Sequence, residues 1–363
     1  MRIQSLTARF LAEDSPRMRT LLLALAVAAA PLLRAEPVQV KVVIVTMFEP
    51  GADSGDRPGE LQLWVEKENL TRTWDFPAGE RPLRSNADGS VLAVVTGIGT
   101  IRAATTITAL GFDPRFDFSK AYWLVAGIAG VDPHDASLGS AIWADYVVDG
   151  DLSHEIDARE MPSDWPTGYL PLRKKMPYEQ PMDPNECLTF RLDPALVKWA
   201  FDTSVDTHIG DTEAIQARRA LYDGFENAQQ PPVVLRGDNL SSSTYWHGAL
   251  LNKWANEWVR YFTGGEGTYM TTAMEDSGTL HALSKLGQAG RVDSSRALVL
   301  RTASNFDMQW PDGNAAESLS GEKLGAGYSA YLISLEAAHL VGSKVVHALL
   351  EGWDTYADTP PGR

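Results

Sequence analysis

SVLAVVTGIGTIRAATTITALGFDPRFDFSKAYWLV, residues 90–125, decides the fold. Ser90 to Val95 (SVLAVV) is apolar without a break after Ser90, the pattern of a strand covered on both faces. Thr96-Gly97-Ile98-Gly99-Thr100 makes a turn, IRAATTITAL a helix of small residues, and Ala121 to Val125 a second apolar strand. Strand, helix and strand in this succession argue for parallel strands of one sheet joined by a crossover. Upstream, Val40 to Met47 (VKVVIVTM) repeats the strand signal, opens into the acidic, glycine-containing loop Phe48–Gly55, and is followed by a helix-like segment around Glu60–Lys67. Downstream, Leu138 to Val148 reads as a turn and a fourth strand. The succession predicts a doubly wound or related sheet with three loops gathered at one end, where open α/β sheets bind ligands.

The whole chain fits that reading. Its 363 residues, 44% of them hydrophobic, suit one large α/β domain. A net charge of −15, with no basic cluster beyond Arg173-Lys174-Lys175, argues against a nucleic acid polymer as partner. The single cysteine, Cys187, excludes an intramolecular disulfide and a multi-cysteine metal site, and reads as an inert packing residue. Asp151, His154, Glu155 and Asp157 follow no zinc or calcium spacing, so no metal is expected. Met18-Arg19-Thr20 followed by LLLALAVAAAPLL has the basic start, short apolar run and small residues of an export signal. Residues 1–35 are therefore expected to be a cleaved signal region, with translation from Met18 as one reading, and 36–363 a periplasmic or secreted domain. No later segment is expected to reach the length of a membrane span.

Further along, helices are expected from Leu196 onward, over Thr212–Leu221, over 249–262 and from about Ala326 to Leu350. His339 and His347 on the last of these read as structural. Pro232 to Leu235 is a short strand before RGDNLSSSTYWHG, residues 236–248. Its hydroxyls and aromatic pair, Ser243, Tyr245 and Trp246, suit a base and a sugar; a serine cap for the following helix is the alternative. The stretch Thr268–Asp307 puts Met274-Glu275-Asp276 at a helix entrance and Arg301-Thr302-Ala303-Ser304-Asn305 at the exit of a strand over Ala297–Leu300. A carboxylate and a carboxamide so placed suit a small polar ligand. Glu49, after the first strand, is equally readable as a functional carboxylate or a solvated loop acid. Gly97 and Gly99 let backbone N–H groups approach a ligand, but Gly-x-Gly without a third glycine is no dinucleotide fingerprint.

Taken in order, TGIGTIRAA, VAGIAGV with LGSAIWADYVVD, RGDNLSSSTYWHG, TTAMEDSGTLHAL and RTASNFD resemble the nucleoside phosphorylase and nucleosidase superfamily. The chain is most similar to the purine nucleoside permease family, in which MFEP, GIAG, MED-G and R-ASN-D are typical. The resemblance covers Val40 to the C-terminus. It implies a single-domain α/β three-layer sandwich with a twisted mixed sheet, nucleoside phosphorylase-like. It also implies a purine nucleoside as ligand, with roles in transport or salvage, and a homo-oligomer as one form of assembly.

By the same resemblance, Met274 and Glu275 hold the ribose, Glu275 accepting from its hydroxyls, and Asn305 contacts the purine as it departs. Gly97, Gly99 and Gly127 would let backbone approach the sugar or nucleophile, and Ser243, Tyr245 and Trp246 would wall the pocket. Glu49 would orient water, although Pro50 stands opposite the nucleosidases' glutamate. Ile128 replaces the phosphorylases' phosphate-binding serine, which favours water over phosphate, while Arg102 remains a phosphate candidate. Asp276 and Asp307 are read as braces for their neighbours. No cofactor is implied, with phosphate as co-substrate if the cleavage is phosphorolysis. Hydrolysis, phosphorolysis and nucleoside binding without turnover are the three alternatives. A chain with no span cannot itself conduct a nucleoside across a bilayer.

Overall fold

The computed structural model describes residues 36–323 and 330–363, so the expected signal region and the expected start of the last helix near Ala326 lie outside the described residues. Ten strands form one mixed sheet. In chain order they are β1 (Val42–Thr46), β2 (Arg72–Trp74), β3 (Leu83–Ser85), β4 (Val91–Val95), β5 (Tyr122–Val131), β6 (Ala141–Asp149), β7 (Thr189–Arg191), β8 (Val234–Ser241), β9 (Tyr269–Ala273) and β10 (Ala297–Phe306). β1 lies between β4 and β5 and is parallel to both, as the βαβ pattern requires. Every residue of β1 and β4 is buried, which explains their unbroken apolar runs.

The pairings then close on themselves. β10 runs parallel to β5 and antiparallel to β6; β6 pairs with β8, β8 with β9, and β9 returns to the end of β5 through Thr271 and Thr272 against Val131 and Gly130. Five strands thus form a ring on one side of an otherwise open sheet. Bulges in β8 around Gly237–Asn239 and in β10 between Ala303 and Asn305 give the bending that such closure needs.

Two segments expected to be loops are strand. β5 continues through Gly127-Ile128-Ala129-Gly130, and β10 continues through Arg301 to Phe306, so Asn305 lies within a strand and not at its exit. Only the segments after β1 and β4 are loops at that end as expected. Polar side chains interrupt the apolar signal of β10 because they line an interior cavity, while small residues in β5 leave room for them.

The helices used below are α1 (Gln62–Lys67), α2 (Thr100–Gly111), α3 (Pro194–Ser204), α4 (Glu213–Arg219), α5 (Ala249–Phe262), α6 (Asp276–Gln288), α7 (Ala315–Lys323) and α8 (Tyr331–Glu351). α2 packs against α6, and α8 packs against β5 and β10. α8 corrects one expectation: its 21 residues are long and apolar enough to cross a membrane. However, 61% of its most apolar window is buried, and Ala337, Val341, Val345 and Leu349 belong to the main hydrophobic core. Core packing accounts for its composition. His339 and His347, two turns apart, both bond the Glu68 carboxylate, at 2.9 and 2.7 Å. That is the structural role expected of them. Cys187 is buried, with its sulfur 3.1 Å from the Asp149 carbonyl, and burial pushes its thiol up out of the reactive range.

Candidate functional site

A cavity of about 300 Å³ opens where the strand ends of the ring meet the loops after β1, β4 and β8. That is the size of a small-molecule site. Its wall includes Met47 and Phe48 after β1, Ile128 to Gly130 from β5, Thr244 to Trp246 after β8 and Met274 with Glu275 after β9. β10 contributes Arg301, Ser304 and Asn305, followed by Asp307. Apolar surface predominates, with polar groups in two places along β10.

The first polar group surrounds Arg301, a guanidinium only 1% exposed. Its Nε donates to both Asp276 oxygens at 3.0 and 3.2 Å, and its Nη2 donates to Asp276 at 2.6 Å and to Glu275 at 3.1 Å. Nη1 donates to the Ile128 carbonyl at 3.0 Å. Burial works against the charge on Arg301, but Asp276 and Glu275 outweigh it and hold the guanidinium ionised. Glu275 also accepts from the N–H of Gly99 at 3.1 Å and of Met274 at 3.3 Å. Three of its roughly four lone-pair directions are thereby used. Burial raises the Glu275 pKa and Arg301 opposes the shift.

Glu60 completes this group. It is 5% exposed, lines the cavity, and accepts from the N–H of Met47 at 2.7 Å and of Ile128 at 2.8 Å. Burial pushes its pKa up to about 8, against the pull of Arg301 and with the push of Glu275. Gly127 makes the convergence feasible. A Cβ there would fall 2.5 Å from Glu60 Oε1, 2.7 Å from Arg301 Nη1 and 1.9 Å from the Met47 methyl carbon.

Four residues further along β10, Asn305 donates from Nδ2 to the Phe306 carbonyl at 3.0 Å and accepts from Ser304 Oγ at 2.9 Å. One amide hydrogen and part of the carbonyl's capacity remain for a ligand.

Of the residues expected to form a site, Met274, Glu275, Asn305, Tyr245 and Trp246 line one cavity. Six others do not, and their partners explain why. Glu49 accepts from the backbone N–H of Gly59, Leu61 and Gln62 at 2.5, 3.0 and 2.8 Å, so it caps the entry to α1. It holds the turn that carries Glu60. Ser243 accepts from Thr100 N at 3.0 Å, closing the first turn of α2; α5 follows Gly248 and has its first N–H accepted by the Gln309 side chain at 3.1 Å, not by a serine. Gly99 gives its N–H to Glu275, Gly97 lies beside Glu80 and Arg102, and Gly127 lies beneath Arg301. Arg102 is exposed and pairs with Glu80 at 3.7 Å.

The model of the purine nucleoside permease family matches residues 39–361. The chain belongs to this family. A purine nucleoside permease of Candida albicans is 32% identical over 324 residues, covering 87% of this chain and 76% of that protein. Among solved structures, the 5′-methylthioadenosine/S-adenosylhomocysteine nucleosidase of Helicobacter pylori aligns with a TM-score of 0.52 and 14% identity. It covers 85% of this permease-family chain and 99% of the nucleosidase. A mutant of that enzyme with 5′-methylthioadenosine in its active site gives a TM-score of 0.51, again at 14% identity. These likenesses show the nucleoside phosphorylase-like fold. Within this permease-family chain, sequence reading missed Glu60, which arrives from an eleven-residue loop after Glu49 with no motif around it. Arg301 stood inside the quoted motif, and a lone cation continuing the apolar run Ala297–Leu300 was the available signal.

Proposed function

We propose that this permease-family chain is an exported purine-nucleoside-binding protein that hydrolyses the N-glycosidic bond in nucleoside uptake or salvage. The family and the fold support nucleoside handling. The choice of water over phosphate rests on one observation: the buried cation at the cavity is already neutralised. Four of the five Arg301 N–H groups serve Asp276, Glu275 and the Ile128 carbonyl, and a third carboxyl, Glu60, adjoins it. A phosphate dianion would enter beside two or three acids with one free guanidinium hydrogen. That is electrostatically unfavourable.

In this reading Glu275 accepts a ribose hydroxyl, and Asn305 holds the purine. Tyr245 and Trp246 cover the ligand. Glu60, in its ionised form, takes the proton of the attacking water. Glu49 acts through the turn it caps, as a positioning residue. Positive charge developing on the sugar is met by Glu275 and Glu60, and negative charge on the purine by the amide end. Export through the basic and apolar segment 18–35 belongs to the same proposal.

The mature domain incubated with inosine or adenosine should release free base at the same rate in phosphate-free buffer and in phosphate. Strict dependence on phosphate would replace hydrolysis by phosphorolysis. Calorimetric binding without base release would make the protein a non-catalytic carrier.

A further inference from the structure

The amide end of the cavity holds a carboxyl group that the reading above leaves unused. Asp307 stands two residues beyond Asn305, on the same side of the chain. A Cβ built on Gly130 would lie 3.4 Å from Asn305 Nδ2 and 3.5 Å from Asp307 Cβ, so the two side chains meet over one glycine of β5. Both line the cavity. Asp307 is 1% exposed, and its hydrogen-bond partners are neutral. The Tyr269 hydroxyl donates to Oδ2 at 2.5 Å, and the Asn252 amide donates to Oδ1 and Oδ2 at 3.1 and 3.3 Å. Burial holds its pKa well above the ordinary carboxyl range, and the charge of Asp132 adds to the shift. Asp132 is itself engaged, by His134 at 2.7 Å and Asn256 at 2.8 Å. Among the described residues, no cation bonds Asp307 as Arg301 bonds Asp276.

We propose that Asp307 is the carboxylic acid that protonates the departing purine, with Asn305 beside it orienting the base. The assignment rests on the nucleoside-cleaving reading. As the glycosidic C–N bond breaks, its electron pair goes to the purine and the Asp307 proton moves to a ring nitrogen. The carboxylate left behind is held by the Tyr269 O–H and the Asn252 N–H. Water adds to the sugar carbon and its proton passes to Glu60; both carboxyl groups then return to their starting states by exchange with solvent. A carboxamide such as Asn305 can hydrogen-bond the base but has no proton to give. The acid two residues later supplies it.

The test compares inosine with 4-nitrophenyl riboside, whose phenolate departs without protonation, in wild type and Asp307→Asn. Loss of about 10²–10⁴-fold on inosine, with the nitrophenyl substrate within about threefold, is the expected result. Equal loss on both substrates overturns the acid and leaves the cleavage reading intact. A wild-type protein that binds inosine but releases no base overturns both. An independent readout is the protonated-carboxyl C=O band that Asp307 contributes beside that of Glu60, isolated as the wild-type minus variant infrared difference at neutral pH. It should vanish in Asp307→Asn and shift in Tyr269→Phe. The second variant keeps the carboxyl in place, so if no band responds to it the assignment fails, whatever the folding of Asp307→Asn.

Discussion

Arg301 and Glu60 illustrate two ways of keeping a charge-bearing group out of water. Arg301 keeps its charge because Asp276 and Glu275 face it. Replacing it by leucine leaves two buried acids without a counter-charge, so unfolding free energy should fall by about 3–5 kcal/mol. Adding Asp276→Asn should restore part of that loss in denaturant titrations. Glu60 instead gives up its charge, with a pKa raised from 4.5 to about 8. The sign follows directly. The unfolded chain ionises this carboxyl first, so its contribution to stability falls between pH 4.5 and about 8. The ionised form needed to accept a proton from water grows over the upper part of the same range. Accordingly kcat/KM for a purine nucleoside should rise through about pH 8 while conformational stability declines. Glu60→Gln should remove the rising limb. That variant starts less stable, because its NH₂ must meet the N–H of Met47 or Ile128.

β5 and β10 carry the site between them, and one glycine shows how tightly they do so. Gly127→Ala places a methyl group on Met47, Glu60 and Arg301 together, and the last two are not flexible ends free to swing away. A loss of about 3 kcal/mol or more is expected, with weakened nucleoside binding, measured by thermal melts and calorimetry. These same strands show where sequence reading succeeds and where it stops. The apolar runs of β1, β4 and the first half of β5 were legible because burial on both faces leaves one composition. The second halves of β5 and β10 were not, because glycine and polar residues that line a cavity look like a loop. Met274, Glu275 and Asn305 were legible through their motifs. Glu60 was not, because it depends on a turn fixed by Glu49, a tertiary contact without a local pattern. Asp307 was legible in position but not in state: its protonation depends on the absence of a cation, which no single residue announces.

For the whole molecule, the acidic balance of −15 and the neutralised Arg301 point the same way, toward a ligand without net negative charge. The likeness to a nucleosidase fold and the family's permease name are compatible once binding and passage are separated. Capture requires the cavity, whereas the long apolar helix α8 is engaged in the core. The placement of both polar groups on a single strand also makes β10 a ruler. Across the bulge, Arg301 and Asn305 stand opposite Gly127 and Gly130, three residues or about 10 Å of β5 apart. A sugar alone or a base alone can reach only one graduation, and only a molecule carrying both spans the scale. Length would then be checked before chemistry, by a measure held in place along its whole run by β5 and, at Leu300–Thr302, by β6 as well.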